Sequence, residues 1–388
     1  MRLQINKGEF LKNWLIAERN TSPKSTISSL TGVLIRAPAG EESATLEATD
    51  LKTSVKCVSS GVIIEKEGEA VLPVRLVGEL FKKAPTNIFT LSIDEGRGVI
   101  HSGRNHYRFT TYPTKEFPSL PVSDDASRFC SIVAGDLLKI LNEGTVACSA
   151  TEEFPKYFGC VLFQLSGGEM KAVSTDGRRL SLSKCETTDN GPDGEFLLPL
   201  AGVREIQRLV ASLDGQTPIT IKAERTLVFF QMGGVELSVR RVDAHFPNYE
   251  AILSSEYTTT MEINRADLIA ALERVDIIVR ESENRNVAMC LSPGGDVLLQ
   301  GSAPQAGAVE EILDASISGN ALNITFNVAY LMDGIKAVNS DRASMNLNGP
   351  AEQMVILRPG GQDFLYMLMP VKTSETDRRF DEEEETAY

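Results

Sequence analysis

The stretch GDLLKIL at residues 135–141 places apolar side chains at helical spacing behind an acidic residue, and the same pattern occurs twice more in the chain. Its counterparts are GEFLKNWL at 8–15 and ADLIAAL at 266–272. The three copies start at intervals of roughly 130 residues, and self-similarity at a fixed period indicates an internally repeated chain. The apolar spacing predicts an amphipathic helix in each copy.

A second helical segment recurs in each repeat, at 72–80, 198–206 and 326–332. Pro73, Pro199 and Asn327 stand where these helices begin, and both residue types suit a helix start because the N–H groups of the first turn have no partner within the helix. Runs with alternating or continuous apolar residues lie between and after the helices and are separated by turn residues, which is typical of short antiparallel strands.

These patterns predict an α+β protein made of three similar domains, each with two helices packed on antiparallel sheets. We expect the domains to span residues 1–122, 123–254 and 255–373, with links between domains near 115–118 and 244–247. Residues 374–388 are rich in Asp and Glu and almost free of apolar residues. They are expected to form a disordered acidic tail.

The composition limits the function. The chain has 388 residues with 39 Lys plus Arg and 53 Asp plus Glu, a net charge of −14, which argues against a protein that holds nucleic acid by a generally basic surface. No apolar run is long enough to span a membrane. The N-terminus lacks the features of a signal peptide, so a cytoplasmic location with reduced thiols is expected. The six cysteines show no Cys-x-x-Cys pair and are interpreted as core residues.

The motifs of a catalytic site are missing from the sequence. No phosphate-binding loop or nucleophile motif occurs, and His101, His106 and His245 are interpreted as isolated histidines without metal-like spacing. We therefore expect no enzyme activity, no cofactor and no metal. The Gly-Gly pairs at 167–168, 233–234, 294–295 and 360–361 are interpreted as hairpin turns, where positive φ angles are needed.

The run TDGRRL at 175–180 is the most distinctive short motif. On its spacing alone it predicts an Asp-Gly hairpin turn with two exposed arginines. Together with FPNY at 246–249, FNVAYL at 326–331 and MPV at 369–371, it resembles the family of bacterial DNA polymerase III beta subunits, the replicative sliding clamps. The resemblance covers residues 1 to about 372 in three copies.

This resemblance implies a ring made of two crescent-shaped subunits joined head to tail, with sheets outside and helices lining a hole for duplex DNA. Such a homodimer is not an enzyme. It is held on DNA by enclosure and tethers the polymerase, which confers processivity. The six predicted helices together carry a slight excess of basic residues and the rest of the chain carries the acidic excess, which suits a ring that slides on DNA.

The resemblance also implies a hydrophobic groove between the second and third repeats that binds short peptides. Its expected partners are the DNA polymerase III catalytic subunit, the clamp loader, and other polymerases and repair proteins. The matching positions are Phe158, Thr175, Gly177, Arg178, Arg179, Leu180, Pro247, Ile252, Asn327, Tyr330, Met369, Pro370 and Val371. Arg178 stands where the family often has His, and Ala251 where it often has a basic residue, so the peptide preference of this groove is expected to differ.

Two further sets of residues follow from the resemblance and from helix position. The residues expected to face DNA are Lys24, Arg75, Lys82, Lys83, Lys156, Tyr157, Arg204, Arg208, Arg265 and Lys336. The residues expected at the dimer interface are Tyr107, Phe109, Ile278 and Val279. Each of these basic residues has the alternative of being an ordinary solvated side chain, and Val279 has the alternative of core packing.

Two other functions stay open on the sequence alone. One is a plasmid- or phage-type clamp that serves a different polymerase. The other is a ligand-binding protein or hydrolase built from repeats, with its site between domains, for which the sequence offers no convergent acidic residues. The acidic segment 374–388 also suggests the hypothesis that it competes with partner peptides for the groove.

Overall fold

A computed structural model describes residues 1–151, 154–253 and 256–371 of the chain. Within these ranges it contains three similar units in chain order, each with two helices packed on antiparallel strands, and the predicted α+β fold is confirmed. The predicted acidic tail 374–388 lies outside the described residues, as do Ser254 and Ser255, where we expect the second domain boundary.

The first unit contains two helices and nine strands. Its helices are α1 (Lys7–Arg19) and α2 (Glu79–Lys83). Its strands are β1 (Arg2–Asn6), β2 (Gly32–Ala37), β3 (Ala44–Thr49), β4 (Thr53–Ser59), β5 (Val62–Lys66), β6 (Gly68–Pro73), β7 (Ile88–Asp94), β8 (Arg97–Ser102) and β9 (Asn105–Thr110). A π-helical turn, Val74–Gly78, precedes α2 where a regular helix was expected.

The second unit repeats this order with α3 (Ala134–Gly144) and α4 (Leu200–Val210). Its strands are β10 (Ser127–Val133), β11 (Cys160–Ser166), β12 (Glu169–Thr175), β13 (Arg179–Glu186), β14 (Asp189–Asn190), β15 (Gly194–Pro199), β16 (Pro218–Ala223), β17 (Leu227–Met232) and β18 (Val235–Arg240). Gly167 and Gly233 begin two of its hairpin turns with φ angles of +60° and +53°, as the Gly-Gly pairs predict.

The third unit contains α5 (Arg265–Val279) and α6 (Val328–Ala337). Its strands are β19 (Thr259–Asn264), β20 (Asn286–Leu291), β21 (Asp296–Ala303), β22 (Gly307–Gly319), β23 (Leu322–Asn327), β24 (Arg342–Leu347), β25 (Met354–Leu357) and β26 (Phe364–Leu368). Asn264 and Asn327 cap α5 and α6, because each side-chain oxygen accepts hydrogen bonds from two N–H groups of the first turn.

Two of the sheets continue from one unit into the next. In the nine-stranded sheet β18 pairs with β4, which joins the second unit to the first. In the twelve-stranded sheet β26 pairs with β13, which joins the third unit to the second. The five-stranded sheet of the first unit has the order β5-β1-β7-β8-β9, so β9 is a free edge within the described chain.

The helices pack on one face of these sheets. Helix α1 packs on β3 and β4, α3 on β12 and β13, and α5 on β21 and β22. The core of the first unit is aromatic. Phe81 meets Phe10, Trp14 and Phe89 at ring-centroid distances of 5.3, 4.9 and 5.2 Å, and all four side chains are buried. These contacts bury the apolar stripe of each helix and leave its polar stripe on the other side.

Two connecting segments cover the opposite face of the sheets. Phe117 packs with Leu34 and Val71 in the first unit. Phe246 and Tyr249 belong to a larger buried cluster with residues of β11, β12, β13 and β15. The expected links near 115–118 and 244–247 therefore run across the outer face of the sheets and add a second apolar layer there.

Four of the six cysteines are buried as expected of core residues, whereas Cys185 and Cys290 are half-buried. Burial raises the pKa of the Cys57, Cys130 and Cys148 thiols to about 12 and that of Cys160 to about 11. Because the thiolate is the reactive form, these side chains act as small apolar residues of the core.

A partly buried group of ionic side chains joins the second unit to the third. Arg358 is ion-paired with Glu143 of α3 and with Asp363, and Lys139 also pairs with Asp363. The Ser183 hydroxyl donates a hydrogen bond to Glu143 at 2.6 Å. Burial raises the pKa of the Glu143 carboxyl, an effect that Ser183 and Arg358 oppose. The arginine thus compensates a carboxylate that would otherwise be costly to bury.

We predict that Arg358→Met lowers the free energy of unfolding by about 3–5 kcal/mol at neutral pH, because Glu143 loses its cationic partner. Without Arg358 the raised pKa of Glu143 rises further, so the loss becomes smaller as the pH is lowered and that carboxyl is protonated. Urea unfolding followed by circular dichroism at several pH values measures this. Arg342→Met is the control, because Arg342 pairs with Glu262 at 3.8 Å with both side chains nearly half exposed. An equal loss in both variants would contradict the prediction.

Candidate functional site

The turn between β12 and β13 is held by its own side chains. The Thr175 hydroxyl donates to the Arg179 carbonyl at 2.7 Å and accepts from the Gly177 N–H at 3.1 Å. Asp176 Oδ1 accepts from the N–H groups of Arg178 and Arg179 at 3.0 and 3.1 Å. Gly177 has a φ of +83°. The Asp-Gly hairpin turn that the spacing predicts is therefore present.

The two arginines of this turn have different surroundings. Arg178 is exposed as predicted, but the prediction is wrong for Arg179, whose side chain is only 11% exposed. Arg179 Nε bonds to Asp176 at 2.8 Å and Nη1 to Asp333 of α6 at 2.7 Å, and its guanidinium lies 4.3 Å from the Tyr330 ring centroid. Burial lowers the pKa of Arg179, but Tyr366 and the two carboxylates raise it above its usual range. Arg179 is thus fixed between the second and third units.

The closing segment of the third unit runs beside this turn. The Met369 N–H donates to the Arg178 carbonyl at 2.9 Å, and the Val371 N–H donates to the Thr325 carbonyl at 2.8 Å. The Tyr366 hydroxyl donates to the Tyr330 carbonyl at 2.8 Å. Residues 369–371, including Pro370, therefore lie between the turn at 175–180 and the start of α6, where Asn327 forms the cap.

Aromatic contacts connect the turn with the outer-face segment. A Cβ atom on Gly177 would lie 2.9 Å from Phe158 Cζ, so the glycine makes room for this ring. Phe158 contacts Tyr157 at 5.0 Å between centroids, and Tyr157 contacts Phe246 at 5.5 Å. Pro247 follows Phe246 and is exposed. Leu180 is buried on β13 opposite Met367.

Two apolar side chains in this region remain open to solvent. Ile252 is 48% exposed and Met369 is 41% exposed. The Ile252 carbonyl accepts a hydrogen bond from Gln353 at 3.0 Å, which fixes the segment after Pro247 to the third unit. Exposed apolar groups beside fixed polar ones are the usual features of a peptide-binding surface.

A cavity of about 1220 Å³ opens between the second and third units on the helix side. Phe158, Arg178 and Tyr330 of the expected groove line it. Arg204, Arg265 and Lys336 of the expected DNA-facing set line it as well. The two predicted sites are therefore neighbours around one cavity.

Three family models match the chain in order. The N-terminal domain of the DNA polymerase III beta subunit matches residues 1–121, its central domain matches 132–248, and its C-terminal domain matches 250–372. The chain belongs to the DNA polymerase III beta-subunit family. Membership makes it a sliding clamp, a non-catalytic processivity factor, as the sequence predicts.

Curated relatives and solved structures agree with this assignment. The chain is 26% identical to a beta sliding clamp of Synechocystis, with 96% of the chain and 99% of the relative covered. A crystal structure of the DNA polymerase III beta subunit from Thermotoga maritima is 25% identical, with a TM-score of 0.88 and coverage of 96% and 100%. The sliding clamp of Bacillus subtilis, at 22% identity, has the same fold with a TM-score of 0.91 and the same coverage.

The residues expected to face DNA fall into two groups in this clamp. Lys24, Arg75, Lys156 and Arg204 are exposed and have no ion-pair partner among the described residues. The others are held by neighbours. Lys82 and Lys83 pair with Glu79, Arg208 with Glu205, and Lys336 with Glu273 at 2.9–3.3 Å, while Arg265 donates to carbonyls at the end of α6 and Tyr157 packs against Phe246.

The four residues expected at the dimer interface are also distinct. Tyr107 is half-buried on β9. Phe109 is buried within its own chain, with its ring over Gly98 of β8. Ile278 is half-buried near the end of α5. Val279 is fully buried, because this turn of α5 packs on Gly301 of β21. Val279 therefore has no surface to offer a partner, and its alternative of core packing is the correct one.

Several residues of this region were not singled out by the sequence. Asp333 and Lys139 line the cavity, and the Tyr366 hydroxyl lies 3.4 Å from Arg179 Nη1. Phe154 is 90% exposed beside Lys156. Asp333 lies one helical turn after Tyr330, so the spacing on α6 is a signal that could have identified it. The interpretation of His101 and His106 as isolated is wrong, since their rings are in contact.

The described residues contain no group of three or more His, Cys, Asp or Glu side chains that could hold a metal within a single chain. Among their helices, none combines the length and the apolar character that crossing a membrane requires.

We predict that Arg179→Lys lowers the free energy of unfolding by about 1–2 kcal/mol, because a lysine cannot bond both carboxylates while stacking on Tyr330. Arg178→Lys is the matched control on the adjacent, exposed residue and should leave stability unchanged. Differential scanning calorimetry of the two variants makes the comparison. Identical unfolding profiles for wild type and Arg179→Lys would contradict the role of the arginine between the units.

Proposed function

We propose that two copies of this chain close head to tail into a ring around duplex DNA, and that the ring tethers its partners through the groove between the second and third units. The domains of each copy are taken as 1–122, 123–254 and 255–373. The observation that carries the proposal is a pair of unmatched strand edges, one at each end of the row of three units.

The two joints within the chain follow one rule. The last strand of a unit pairs antiparallel with a strand of the unit before it. That partner is the second strand of the hairpin β3-β4 in the first unit and of the hairpin β12-β13 in the second unit. At the first joint Glu236 of β18 lies opposite Lys56 of β4. At the second joint Leu365 of β26 lies opposite Leu182 of β13. A strand edge with free N–H and C=O groups is a template for such pairing.

Two equivalent edges have no partner strand in the described part of the chain. One is β9, the last strand of the first unit. The other is the 307–314 part of β22, which pairs with β21 on one side only. Because these edges belong to the first and third units, pairing between two copies satisfies both edges twice and closes a ring of six units.

The repeat also predicts the register of this third joint. His106 has the same place in the hairpin β8-β9 as Glu236 in β17-β18 and Leu365 in β25-β26. Glu310 has the same place in the hairpin β21-β22 as Lys56 in β3-β4 and Leu182 in β12-β13. His106 should therefore lie opposite Glu310 of the partner subunit, and Tyr107 opposite Val309 of the partner subunit. Val309 is half-buried against the core of the third unit, which suits an apolar contact with Tyr107 and Ile278.

The helix face of the units would line the hole. There the exposed cations Lys24, Arg75, Lys156 and Arg204 attract the DNA backbone, while the glutamates that pair with the other expected residues limit the attraction. A ring retained by enclosure needs no high affinity, and weak phosphate contacts permit sliding. The contacts are to backbone phosphates, so no base sequence is selected.

The groove would take a short apolar segment from a partner. Ile252 and Met369 offer exposed apolar contacts, and Arg178 offers an exposed charge beside them. By family, the partners are the DNA polymerase III catalytic subunit, the clamp loader, and other polymerases and repair proteins, which meet the ring on DNA in the cytoplasm. Arg178 favours peptides that carry an acidic residue next to their apolar anchors.

The first test measures retention on DNA. The protein is loaded onto nicked circular plasmid with its clamp loader and ATP, and the complex is separated by gel filtration. We expect the protein to remain with circular DNA in moderate salt and to be released when a restriction enzyme linearises the plasmid, because enclosure and not affinity holds it. Retention that is equal on circular and linear DNA would contradict enclosure.

The second test concerns the seam between subunits. Tyr107→Asp should raise the dimer dissociation constant about 100-fold, because a carboxylate would be buried against an apolar partner. Sedimentation equilibrium measures this constant. Ile63→Asp is the control, since Ile63 is 63% exposed on β5 at the other edge of the same sheet. A Tyr107→Asp dimer as tight as wild type would remove β9 from the interface.

A further inference from the structure

The contact between His101 and His106 lies next to the free edge of the first unit. The two residues are directly opposite each other on β8 and β9. Both side chains are exposed, their ring centroids are 4.6 Å apart, and the two Nδ1 atoms are 2.7 Å apart. At this distance one Nδ1 carries a proton that the other accepts, so two imidazole nitrogens point at one place.

Two converging imidazole nitrogens are also the beginning of a transition-metal site. Zn²⁺ binds histidine nitrogen at about 2.0–2.1 Å, which requires the two nitrogens to be about 3.3 Å apart in a tetrahedral site. The rings need to separate only slightly to admit an ion, and being exposed they are free to do so. Two ligands bind weakly, so a third determines whether the site is useful.

We propose that His101, His106 and Glu310 of the partner subunit form a site for a divalent transition metal such as Zn²⁺ at the seam of the ring. The proposal rests on the proposed head-to-tail ring. The repeat register brings the partner's Glu310 opposite His106 on the outer face of the joined sheet, in one row with His101. Neighbouring strands are about 4.7–4.9 Å apart, so a glutamate on the third strand of the row reaches the ion.

The state of Glu310 within its own chain suits this role. Its side chain is exposed on the outer face of β22. Its Oε1 accepts a hydrogen bond from Gln300 Nε2 at 2.7 Å, and it has no ion-pair partner among the described residues. The amide fixes the direction of the carboxylate and leaves the second oxygen for an ion, as neighbours of metal ligands commonly do.

One charged neighbour competes for the same carboxylate. Arg108 is two residues beyond His106 on β9 and is exposed on the same face. In the third joint it would lie diagonally from the partner's Glu310, where an ion pair without metal is the other way to satisfy that group. If the metal site is present, replacing Arg108 should strengthen metal binding. If an Arg108–Glu310 ion pair holds the seam instead, the same replacement should weaken the dimer, and metal should have no effect on it.

The site is complete only in the closed ring, so metal binding and ring closure should favour each other. By linkage, an ion that binds the dimer more tightly than the monomer strengthens the dimer by the same factor. We expect zinc-buffered solution to lower the dimer dissociation constant about tenfold relative to EDTA. Zn²⁺ would then hold the seam without touching the DNA face.

The experiment compares full-length variants by sedimentation equilibrium in EDTA and in buffered Zn²⁺, with Co²⁺ absorption as a direct report of coordination. Wild type should dimerise more tightly with Zn²⁺, and His106→Gln and Glu310→Gln should each lose this response while still forming dimers in EDTA. His245→Gln is the control, because the third histidine lies outside the seam. It should respond like wild type.

The outcomes separate the site from the ring. A wild-type dimer with equal dissociation constants in Zn²⁺ and EDTA overturns the metal site and leaves the ring standing. A full response in Glu310→Gln overturns the bridging role of the partner's Glu310. A wild type that stays monomeric at every concentration, with and without Zn²⁺, overturns the ring and the site together. Loss of the response and of the Co²⁺ spectrum in both seam variants supports the site.

Discussion

Antiparallel pairing of strand edges is the interaction on which the rest of this structure depends. Both joints inside the chain use it, with β18 on β4 and β26 on β13. Because pairing fixes the register, it also fixes which side chains meet across a joint and keeps every helix on the same face. The sheet therefore continues from unit to unit, and the last requirement of the pattern is a partner for β9 and β22. A single rule thus governs the fold within a chain and, in the proposed ring, the assembly between chains.

Local patterns in the sequence predict the repeated elements well. Contacts between residues that are distant in the chain could not be predicted from the sequence. The stretch at 266–272 predicts a helix, and α5 is present there over Arg265–Val279, because apolar spacing within a helix is local. Arg179 was expected to be exposed, but its partner Asp333 is 154 residues away in the chain. His101 and His106 are separated by a tight turn, so their contact depends on the hairpin register. The burial of Val279 depends on which turn of α5 packs on Gly301, and the sequence does not show this. Burial and partners at these positions are set by tertiary structure.

The distribution of charge explains how an acidic protein could enclose DNA. Much of the basic charge on the helix face is neutralised by neighbouring carboxylates. Glu79 forms ion pairs with Lys82 and Lys83, and Glu205 forms an ion pair with Arg208. Glu205 is buried and also accepts hydrogen bonds from Arg19 and Asn20 of the first unit. It therefore stabilises the joint between the first and second units. Among the described residues, Lys24, Arg75, Lys156 and Arg204 remain as exposed cations without an ion pair. Such a surface attracts phosphate along its whole length without a single strong site, which is the condition for movement along a polyanion.

In the proposed ring, the three joints place different chemistry at one repeated position. Lys56 with Glu236 and Leu182 with Leu365 sit inside a single chain, where the joints never have to open. The third joint has to open to admit DNA that has no free end. A pair of side chains with an interaction of constant strength would hold the ring either always closed or always open. Histidine and glutamate bind divalent metal ions reversibly, so their interaction depends on conditions in a way that an aliphatic contact does not. The position that must be reversible is thus the one where this chain carries reversible ligands.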